Sequence, residues 1–396
     1  MKKMRIGILT GGGDCPGINA VIRAVARKAM LEGGAEIIGI EDGYEGLVNN
    51  KYRKLELSDL SGILTLGGTI LGASKKANPY RYAIRQGDPS TRTEPGLNAR
   101  SGSSRAMPGD DKLIFKDMSE RALDNIDRME LDCLVVIGGD GTLGIAYKLF
   151  KDGVPVVGVP KTIDNDIMGT DITFGFDSAV CIATEGIDRL HTTAQSHHRV
   201  MIIEVMGHNA GWLALHSGIA GGGDIILIPE IPYSIDAITD KVLQRNKRGK
   251  KFSIVVVAEG AKPKGGDVVV QRIVKESSDP IRLGGVGFVL GRQIENITGI
   301  ETRTVVMGHL QRGGSPTPAD RVLATELGTK AVDFIRRGAF GYMVGVQKCK
   351  CVRVSLQEVS KGIRKIPPGH PLIASARSLD TSFGDRRIGA KGARHA

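Results

Sequence analysis

The sequence predicts an α/β protein whose parallel-rich sheets are flanked by helices on both faces. Short runs rich in Val and Ile recur along the 396 residues, followed by glycines and then by helical patterns. Near-continuous apolar strands that alternate with helices are typical of parallel sheets covered on both sides. The chain is long enough for two domains, since compact domains run to roughly 100–200 residues. The predicted strands are Arg5–Thr10, Ala35–Ile40, Cys133–Ile137, Val154–Val159, Val200–Met206, Ile225–Pro229, Phe252–Glu259 and Thr304–Met307.

The composition is that of a globular protein. Hydrophobic residues make up 41% and charged residues 24% of the chain, and no apolar run reaches the roughly 18 residues that a membrane-spanning helix needs. The first apolar run is only a few residues long, which argues against a signal peptide. Of the five scattered cysteines, Cys349 and Cys351 alone suggest a metal site, and a second pair is missing. We therefore expect free thiols and a cytoplasmic protein with no membrane partner.

The charge balance indicates anionic partners. A formal net charge of +11 fits nucleic acid, a membrane surface or phosphorylated small molecules. Aromatic residues make up only 4% of the chain, which leaves few side chains for bases to stack on. We therefore expect no nucleic-acid partner.

Two segments lack any periodicity. Residues 86–111 are rich in Pro, Gly, Ser and charge, which predicts a long mobile surface loop. The tail after about Pro367 has a similar composition and carries much of the excess positive charge. We expect residues 362–396 to form a basic, partly flexible extension.

The first predicted strand ends in a glycine run, Gly11-Gly-Gly-Asp-Cys-Pro-Gly17, and a helical pattern follows. Glycines let the backbone pass close to a ligand, and a helix N-terminus offers free N–H groups to an anion. Gly12 and Gly13 are therefore candidate phosphate-binding residues. The motif is neither a Walker loop nor a dinucleotide fingerprint, and by itself it is equally well a tight turn.

Carboxylates follow the next two strong strands. Gly138-Gly-Asp-Gly-Thr142 places Asp140 in a second glycine run, where it could hold magnesium while the glycines admit phosphates; the alternative is a helix N-cap. Pro160-Lys-Thr-Ile-Asp-Asn-Asp166 then places Asp164 two residues before a second carboxylate. One carboxylate could accept the proton of an attacking hydroxyl while the other faces a metal. Turn chemistry explains these residues equally well in isolation.

Six motifs in this order closely resemble the 6-phosphofructokinase family from about Arg5 to about Val354. They are Gly-Gly-Gly-Asp-Cys-Pro-Gly-x-Asn, Gly-Gly-Asp-Gly-Thr, Pro-Lys-Thr-Ile-Asp-Asn-Asp, Glu204-Val-Met-Gly, Ala258-Glu-Gly and Gly308-His-Leu-Gln-Arg-Gly-Gly-Ser. The resemblance implies two Rossmann-like domains, the phosphofructokinase fold. It also implies a glycolytic kinase that transfers a phosphoryl group from ATP, with Mg²⁺, to the C1 hydroxyl of fructose 6-phosphate.

The resemblance also implies a division of the chain. Residues 1–175 with 312–361 form the donor domain, which carries the insertion at about 86–111, and residues 176–311 form the sugar-phosphate domain. Our hypothesis for the insertion is a mobile flap near the donor site. The partners would be fructose 6-phosphate, ATP and further copies of the chain.

Roles carry over from the family by position. Asp164 would be the general base, with Thr162 and Asp166 beside it. The donor residues would be Gly12, Gly13, Lys75, Gly139, Asp140, Gly141, Thr142 and Lys161, with Asp140 also the metal ligand. The sugar-phosphate residues would be Thr162, Asp164, Arg199, Met206, Gly207, His208, Glu259, Arg303, His309 and Arg312. In the family, Arg199 and Arg303 reach the sugar phosphate of a neighbouring subunit, which implies a homo-oligomer, dimer or tetramer, with shared active sites.

The chain departs from the family at two arginine positions. Lys75 and His208 stand where arginines usually neutralise the phosphoryl group in flight, so Asn209 or Lys161 would have to compensate. At the donor selector, Gly141 leaves room for ATP, where an aspartate would not. Lys161 is shared by pyrophosphate users and some ATP users, so we favour ATP and keep pyrophosphate as the alternative.

Two rival functions remain. A lipid or nicotinamide-nucleotide kinase shares the Gly-Gly-Asp-Gly-Thr motif, but the sugar-side residues argue against it. Lys75 and His208 would suit a catalytically weak sugar-phosphate-binding regulator. Asp140, Asp164 and Asp166 argue against that, since a pure binder needs neither a base nor a metal carboxylate.

Overall fold

The computed structural model describes residues 3–74, 76–85, 113–276 and 280–386. The strands of this part are β1 (Arg5–Thr10), β2 (Glu36–Ile40), β3 (Tyr52–Leu55), β4 (Tyr82–Arg85), β5 (Leu113–Lys116), β6 (Cys133–Gly138), β7 (Val156–Pro160), β8 (Val200–Val205), β9 (Ile225–Leu227), β10 (Ser253–Ala258), β11 (Val270–Ile273), β12 (Ile281–Leu283), β13 (Thr302–Val306), β14 (Tyr342–Gln347) and β15 (Lys350–Ser355). The helices are α1 (Ile18–Gly33), α2 (Tyr44–Asn49), α3 (Ser119–Arg128), α4 (Asp140–Lys151), α5 (Phe176–His197), α6 (Trp212–Ala220), α7 (Ile235–Lys247), α8 (Val286–Thr298), α9 (Pro318–Arg336), α10 (Leu356–Val359) and α11 (Pro371–Ser378).

The first sheet has the strand order β15-β14-β7-β6-β1-β2-β3. Its five central strands are parallel, and β3 and β15 pair antiparallel at the two edges. Every residue of β6 is buried, as expected for a strand covered by helices on both faces. Thr10 pairs in register with Ile137, so the two glycine runs leave the sheet side by side.

The second sheet is parallel throughout, with the order β13-β8-β10-β9. Val205 pairs with Ala258, and Glu204 pairs with Val306. The segments that follow β8, β10 and β13 therefore start at one edge, where ligands of parallel sheets bind. Two short antiparallel pairs, β4–β5 and β11–β12, stand apart from both sheets.

One apolar core continues from the first sheet into the second. It includes Ile8 and Val159 of the first sheet and Ile203 and Val256 of the second. Phe174, fully buried just before α5, belongs to the same cluster. Since the sheets share this core, the loops at their carboxyl edges are held in a fixed relation.

The predicted fold class is confirmed, and all eight predicted strands are present with their ends within two residues. Edge strands such as β3 and β15 were not predicted, because their half-exposed residues form no continuous apolar run. The predicted insertion at 86–111 lies outside the described residues. The structure describes its flanks, β4 and β5, as an antiparallel pair.

Part of the carboxyl-terminal extension predicted at 362–396 is ordered. Residues 371–378 form α11, and Phe383 is fully buried. Ser382 forms a bridge to Ile225 of the second sheet. The tail is therefore part of the fold as far as Arg386, and residues 387–396 lie outside the described part. Within that part, no helix combines the length and the apolar character needed to cross a membrane.

Candidate active site

The glycine loop after β1 forms one wall of the site. Gly11 N donates to the carbonyl of Ile137 (2.9 Å) and Gly12 N to that of Ser74 (3.2 Å). Gly12 has φ of 79° and Gly17 has φ of 104°, backbone conformations that favour glycine. The loop borders a cleft of about 300 Å³ lined by Gly12, Gly13, Asp14, Thr69 and Ala73.

Thr142 explains why glycines occupy both loops. A side chain at Gly11 would place its Cβ 2.6 Å from Thr142 Cγ2, and one at Gly138 would place it 2.2 Å away. The buried threonine therefore fills the space that these glycines leave open. Its carbonyl accepts a hydrogen bond from the buried Tyr44 hydroxyl (2.8 Å), which fixes the first turn of α4.

Asp140 and Gly141 form the exposed start of α4, directly after Gly139. Apart from its chain neighbours and the backbone of α4, no atom of the described residues lies within 4 Å of the Cβ that a side chain at Gly141 would have, so this position faces open space. Within residues 3–74, 76–85, 113–276 and 280–386, no group of three or more His, Cys, Asp or Glu side chains could hold a metal ion. A metal here would need ligands from a substrate as well as from Asp140.

Lys161 lies directly after β7 and contacts both glycine loops. Its backbone N donates to the carbonyl of Gly138 (2.9 Å), and its ammonium group donates to the carbonyl of Gly13. The residue is only 3% exposed, and burial lowers the pKa of the ammonium group, which Asp164 and Asp14 partly offset. A desolvated cation next to a glycine loop is suited to bind a phosphate.

Asp164 and Asp166 lie further along the same loop after β7. The Asp164 N–H donates to the Thr162 hydroxyl (3.0 Å), and Asp164 Oδ1 is buried with no hydrogen-bond partner among the described residues. Burial, and then repulsion from Asp164 and Asp140, raise the pKa of Asp166 well above its usual range. A buried acceptor left unpaired costs about 1–3 kcal/mol, which a substrate hydroxyl could recover.

Glu259 faces this pair from the second sheet. Its Oε1 accepts a hydrogen bond from the His208 N–H (3.0 Å). Burial, and then repulsion from Asp164, raise the pKa of Glu259 to about 7. A Cβ on Gly260 would lie 2.0 Å from the His208 carbonyl, so glycine is required for the two loops to approach. Met206 and Gly207 stand in the same loop after β8.

Arg312 completes the site from the short helix Gly308–Arg312, which follows β13. Its Nη1 donates to the carbonyl of Asp14 (3.0 Å), and its charge interacts with both Glu259 and Lys161. The arginine therefore bridges the glycine loop of the first sheet and the acidic group of the second. His309, in the same helix, is exposed.

Arg199 and Arg303 do not join this cluster within one chain. Arg199 precedes β8 and Arg303 is the second residue of β13, at the amino edge of the second sheet. Arg199 Nε pairs with Glu301 (2.8 Å), and Arg303 pairs with the same carboxylate. At about 3.3 Å per residue, roughly 20 Å separates Arg199 from Met206.

Lys75, the cleft residues Thr69 and Ala73, and Asn209 remain to be placed. Lys75 lies outside the described residues. Thr69 and Ala73, which line the cleft, were not predicted as donor residues; the glycines at 67, 68 and 72 around them are a signal of close backbone approach. Asn209 Nδ2 contacts His208 Nδ1 (2.8 Å), so its amide lies beside the loop after β8.

A family model described as phosphofructokinase matches residues 5–335. The chain is 50% identical over 382 residues to ATP-dependent 6-phosphofructokinase 2 of Clostridium perfringens, covering 96% of this chain and 98% of that one. It is 47% identical over 365 residues to a pyrophosphate–fructose 6-phosphate 1-phosphotransferase of Amycolatopsis methanolica, covering 92% of this chain and 97% of that one.

Solved structures agree with the fold. The T-state phosphofructokinase of Pichia pastoris aligns with a TM-score of 0.72 and 30% identity, over 97% of this chain and 37% of that one. A pyrophosphate-dependent phosphofructokinase of Nitrosospira multiformis aligns with a TM-score of 0.74 and 20% identity, over 98% of this chain and 94% of that one.

Proposed function

The chain belongs to the phosphofructokinase family, and we propose on that premise that it is an ATP-dependent 6-phosphofructokinase. It transfers the γ-phosphoryl group of ATP to the C1 hydroxyl of fructose 6-phosphate and yields fructose 1,6-bisphosphate. The observation that carries this function is the buried Oδ1 of Asp164, which has no hydrogen-bond partner in the described part of the chain and lies between two glycine loops and the acidic side chain of Glu259.

Asp164 acts as the general base. A carboxylate with a free acceptor oxygen can take the proton of the C1 hydroxyl as that hydroxyl attacks phosphorus, and such catalysis contributes about 10²–10⁴-fold to rate. Thr162 holds the backbone of Asp164 through its hydroxyl. Repulsion between Asp164 and the nearby Asp166 disfavours the ionisation of both carboxylates unless a cation lies beside them.

The donor lies against the glycine loops of the first sheet. Backbone N–H groups at Gly13, Gly139 and Gly141 and the hydroxyl of Thr142 suit its phosphates, while Gly12, whose N–H bonds to the Ser74 carbonyl, lines the cleft. Lys161 supplies positive charge at the same place, because its ammonium group already lies against the Gly13 carbonyl. With His208 in place of an arginine, Lys161 and Arg312 share the neutralisation of the transferred group.

Asp140 would hold Mg²⁺. Magnesium is usually bound by one or two carboxylates together with substrate phosphates, and an exposed carboxylate at the start of α4 fits that pattern. When bound, the ion would neutralise the charge that develops on the donor oxygens.

The sugar phosphate lies at the carboxyl edge of the second sheet. Glu259 accepts hydrogen bonds from sugar hydroxyls, and the loop Met206, Gly207 and His208 closes over the ring. Arg312 and His309 lie at the same edge, where an arginine fork suits a phosphate. We assign residues 1–175 with 312–361 to the donor and residues 176–311 to the sugar phosphate.

Arg199 and Arg303 act on the sugar phosphate of a neighbouring subunit, so the enzyme is a homo-oligomer with shared active sites. Two features support this. Arg199 lies roughly 20 Å from Met206 of its own site, and Arg303 lies beside it at the amino edge of the second sheet. Large apolar side chains near β13 are also exposed, among them Phe288 at 53%, Val306 at 42% and Leu310 at 68%. A second copy covering this face would bury them.

Pyrophosphate is the second candidate donor, because Lys161 offers a cation to a small inorganic anion. The test is fructose 6-phosphate turnover with magnesium and either ATP or pyrophosphate, measured on the same purified sample. We expect turnover with ATP. Turnover with pyrophosphate alone would mean that Lys161 outweighs the open space at Gly141. Sugar-phosphate binding without turnover on either donor would favour a regulator.

A further inference from the structure

A segment beyond the residues matched by the family model passes between the carboxyl edges of the two sheets. Ile363 forms an antiparallel bridge with Ile167, directly after the loop that carries Asp164. Ile366 N donates to Glu230 Oε1 (3.0 Å), and the same carboxylate accepts from the Gly211 N–H (3.1 Å) on the second-sheet side. The segment therefore connects the catalytic loop with the start of α6.

Arg364 lies at the centre of this connection. Its backbone N donates to the carbonyl of Asp166 (2.6 Å), and its Nη2 donates to the carbonyl of Asn165 (2.7 Å). Its guanidinium carbon is 4.1 Å from the centroid of the Trp212 ring, and its carbonyl accepts from Trp212 Nε1 (3.0 Å). The contacts with Trp212 thus hold the arginine in place on one side, and its hydrogen bonds to Asn165 and Asp166 hold the catalytic loop on the other.

The loop needs such support because its backbone is unusual. Asn165 has φ of 52°, in the left-handed region that non-glycine residues rarely adopt. Its side chain is held by the Thr173 N–H (3.1 Å), and Arg364 holds its carbonyl. Asn165 is the residue between Asp164 and Asp166, so a rotation of its peptide groups would turn both carboxylates away from the substrate.

We propose that Arg364 is a positioning residue of the phosphoryl transfer, which holds the carbonyls of Asn165 and Asp166 so that Asp164 faces the sugar hydroxyl. The role rests on the proposed function, because it acts through Asp164. It makes the carboxyl-terminal segment a working part of the active site.

The test compares Arg364→Gln with wild type in steady-state turnover of fructose 6-phosphate by Mg-ATP. A misplaced catalytic group costs up to about 100-fold in rate, so we expect kcat to fall about 10- to 100-fold while both KM values change less than about threefold. The matched control is Arg377→Gln. Arg377 lies in the same tail, pairs with Asp385 (3.0 and 2.7 Å) and stacks on Phe383 at 4.9 Å, away from the catalytic loop. Its kcat should stay within about twofold of wild type.

Two further measurements separate positioning from general destabilisation. Trp212 is the only tryptophan in the sequence, so its emission reports the loss of the stacked guanidinium in Arg364→Gln, and Arg377→Gln should not change it. If Arg364 acts through Asp164, the double variant Asp164→Asn with Arg364→Gln should be no slower than Asp164→Asn alone.

The outcomes are distinct. If the wild type turns over fructose 6-phosphate and Arg364→Gln has the same kcat, the role of Arg364 is overturned and the proposed function stays intact. The same holds if the losses in kcat of the two single variants multiply in the double variant. Absence of fructose 6-phosphate turnover in wild type would overturn the proposed function itself. If Arg364→Gln does not fold, Arg364→Lys takes its place. Since Lys keeps the charge and loses the planar fork, we expect a several-fold fall in kcat, and wild-type kcat in that variant would overturn the role.

Discussion

An aspartate at Gly141 should separate ATP from pyrophosphate as donors. The position is exposed, and beyond the backbone of α4 no atom of the described residues lies within 4 Å of the added Cβ, so the side chain fits without a clash. Acidic residues in the first turn of a helix are mildly stabilising, by about 0.3–1 kcal/mol, so the fold should persist. The effect of Gly141→Asp is therefore expected on the donor and not on the stability of α4.

The size of the effect follows from Coulomb's law. Two unit charges about 6 Å apart repel by roughly 3 kcal/mol at an effective dielectric constant of about 20. That corresponds to about a 100-fold loss of kcat/KM for ATP, whose inner phosphate would lie next to the new carboxylate. Pyrophosphate lacks this phosphate, so any turnover with it should not fall comparably.

The assay is steady-state turnover with each donor at saturating fructose 6-phosphate. Gly144→Asp is the matched control. Gly144 also faces open space, and an aspartate there adds the same charge about one turn further along α4. Screening should limit its effect to a few-fold. Gly141→Ala separates the bulk of the side chain from its charge. A kcat/KM for ATP within threefold of wild type in Gly141→Asp, or an equal loss in Gly144→Asp, would refute the reasoning.

Three further predictions concern the sugar side of the site. Because the pKa of Glu259 is about 7, its carboxyl takes up a proton as the pH falls below 7 and accepts hydrogen bonds less well. The KM for fructose 6-phosphate should therefore rise below pH 7 in wild type and be high and independent of pH in Glu259→Gln. Gly260→Ala should lower the free energy of unfolding by about 1–3 kcal/mol, measured by denaturant unfolding, because its Cβ would lie 2.0 Å from a backbone carbonyl; Gly144→Ala, in open space, should not. Finally, Arg303→Ala and Asp164→Asn subunits should each be nearly inactive alone and regain about a quarter of wild-type activity when co-expressed. Random pairing makes about half of the dimers mixed, and one of the two sites in each mixed dimer is intact. No recovery in verified mixed oligomers would mean that the sites are not shared.

The central strands could be predicted from the sequence for a physical reason. Strands β1, β6 and β8 are buried on both faces, so their sequences are continuous apolar runs, and glycines mark the loops that follow them. Strands β3 and β15 are half-exposed, and their sequences, Tyr-Arg-Lys-Leu and Lys-Cys-Val-Arg-Val-Ser, contain no continuous apolar run.

The candidate site was predictable where backbone geometry demands a residue type. Gly11 and Gly138 must leave space for Thr142, so the glycines in the sequence indicate that the two loops pack closely here. The contact of Arg364 with the Asn165 carbonyl was not predictable, because it depends on the path of the tail between the sheets. The tail itself was expected to be loose, since Phe383 stands among small and polar residues that conceal its burial.

The most direct test of the central claim is the turnover of fructose 6-phosphate by Mg-ATP in wild type and in Asp164→Asn. Asparagine keeps the shape of the side chain but cannot accept the proton, so we predict a fall in kcat of about 10²–10⁴-fold. Asp152→Asn is the control, because Asp152 is exposed and bonds to the Tyr80 hydroxyl (2.5 Å) away from the site. An Asp164→Asn enzyme with the wild-type kcat would contradict the assignment of Asp164 as the base.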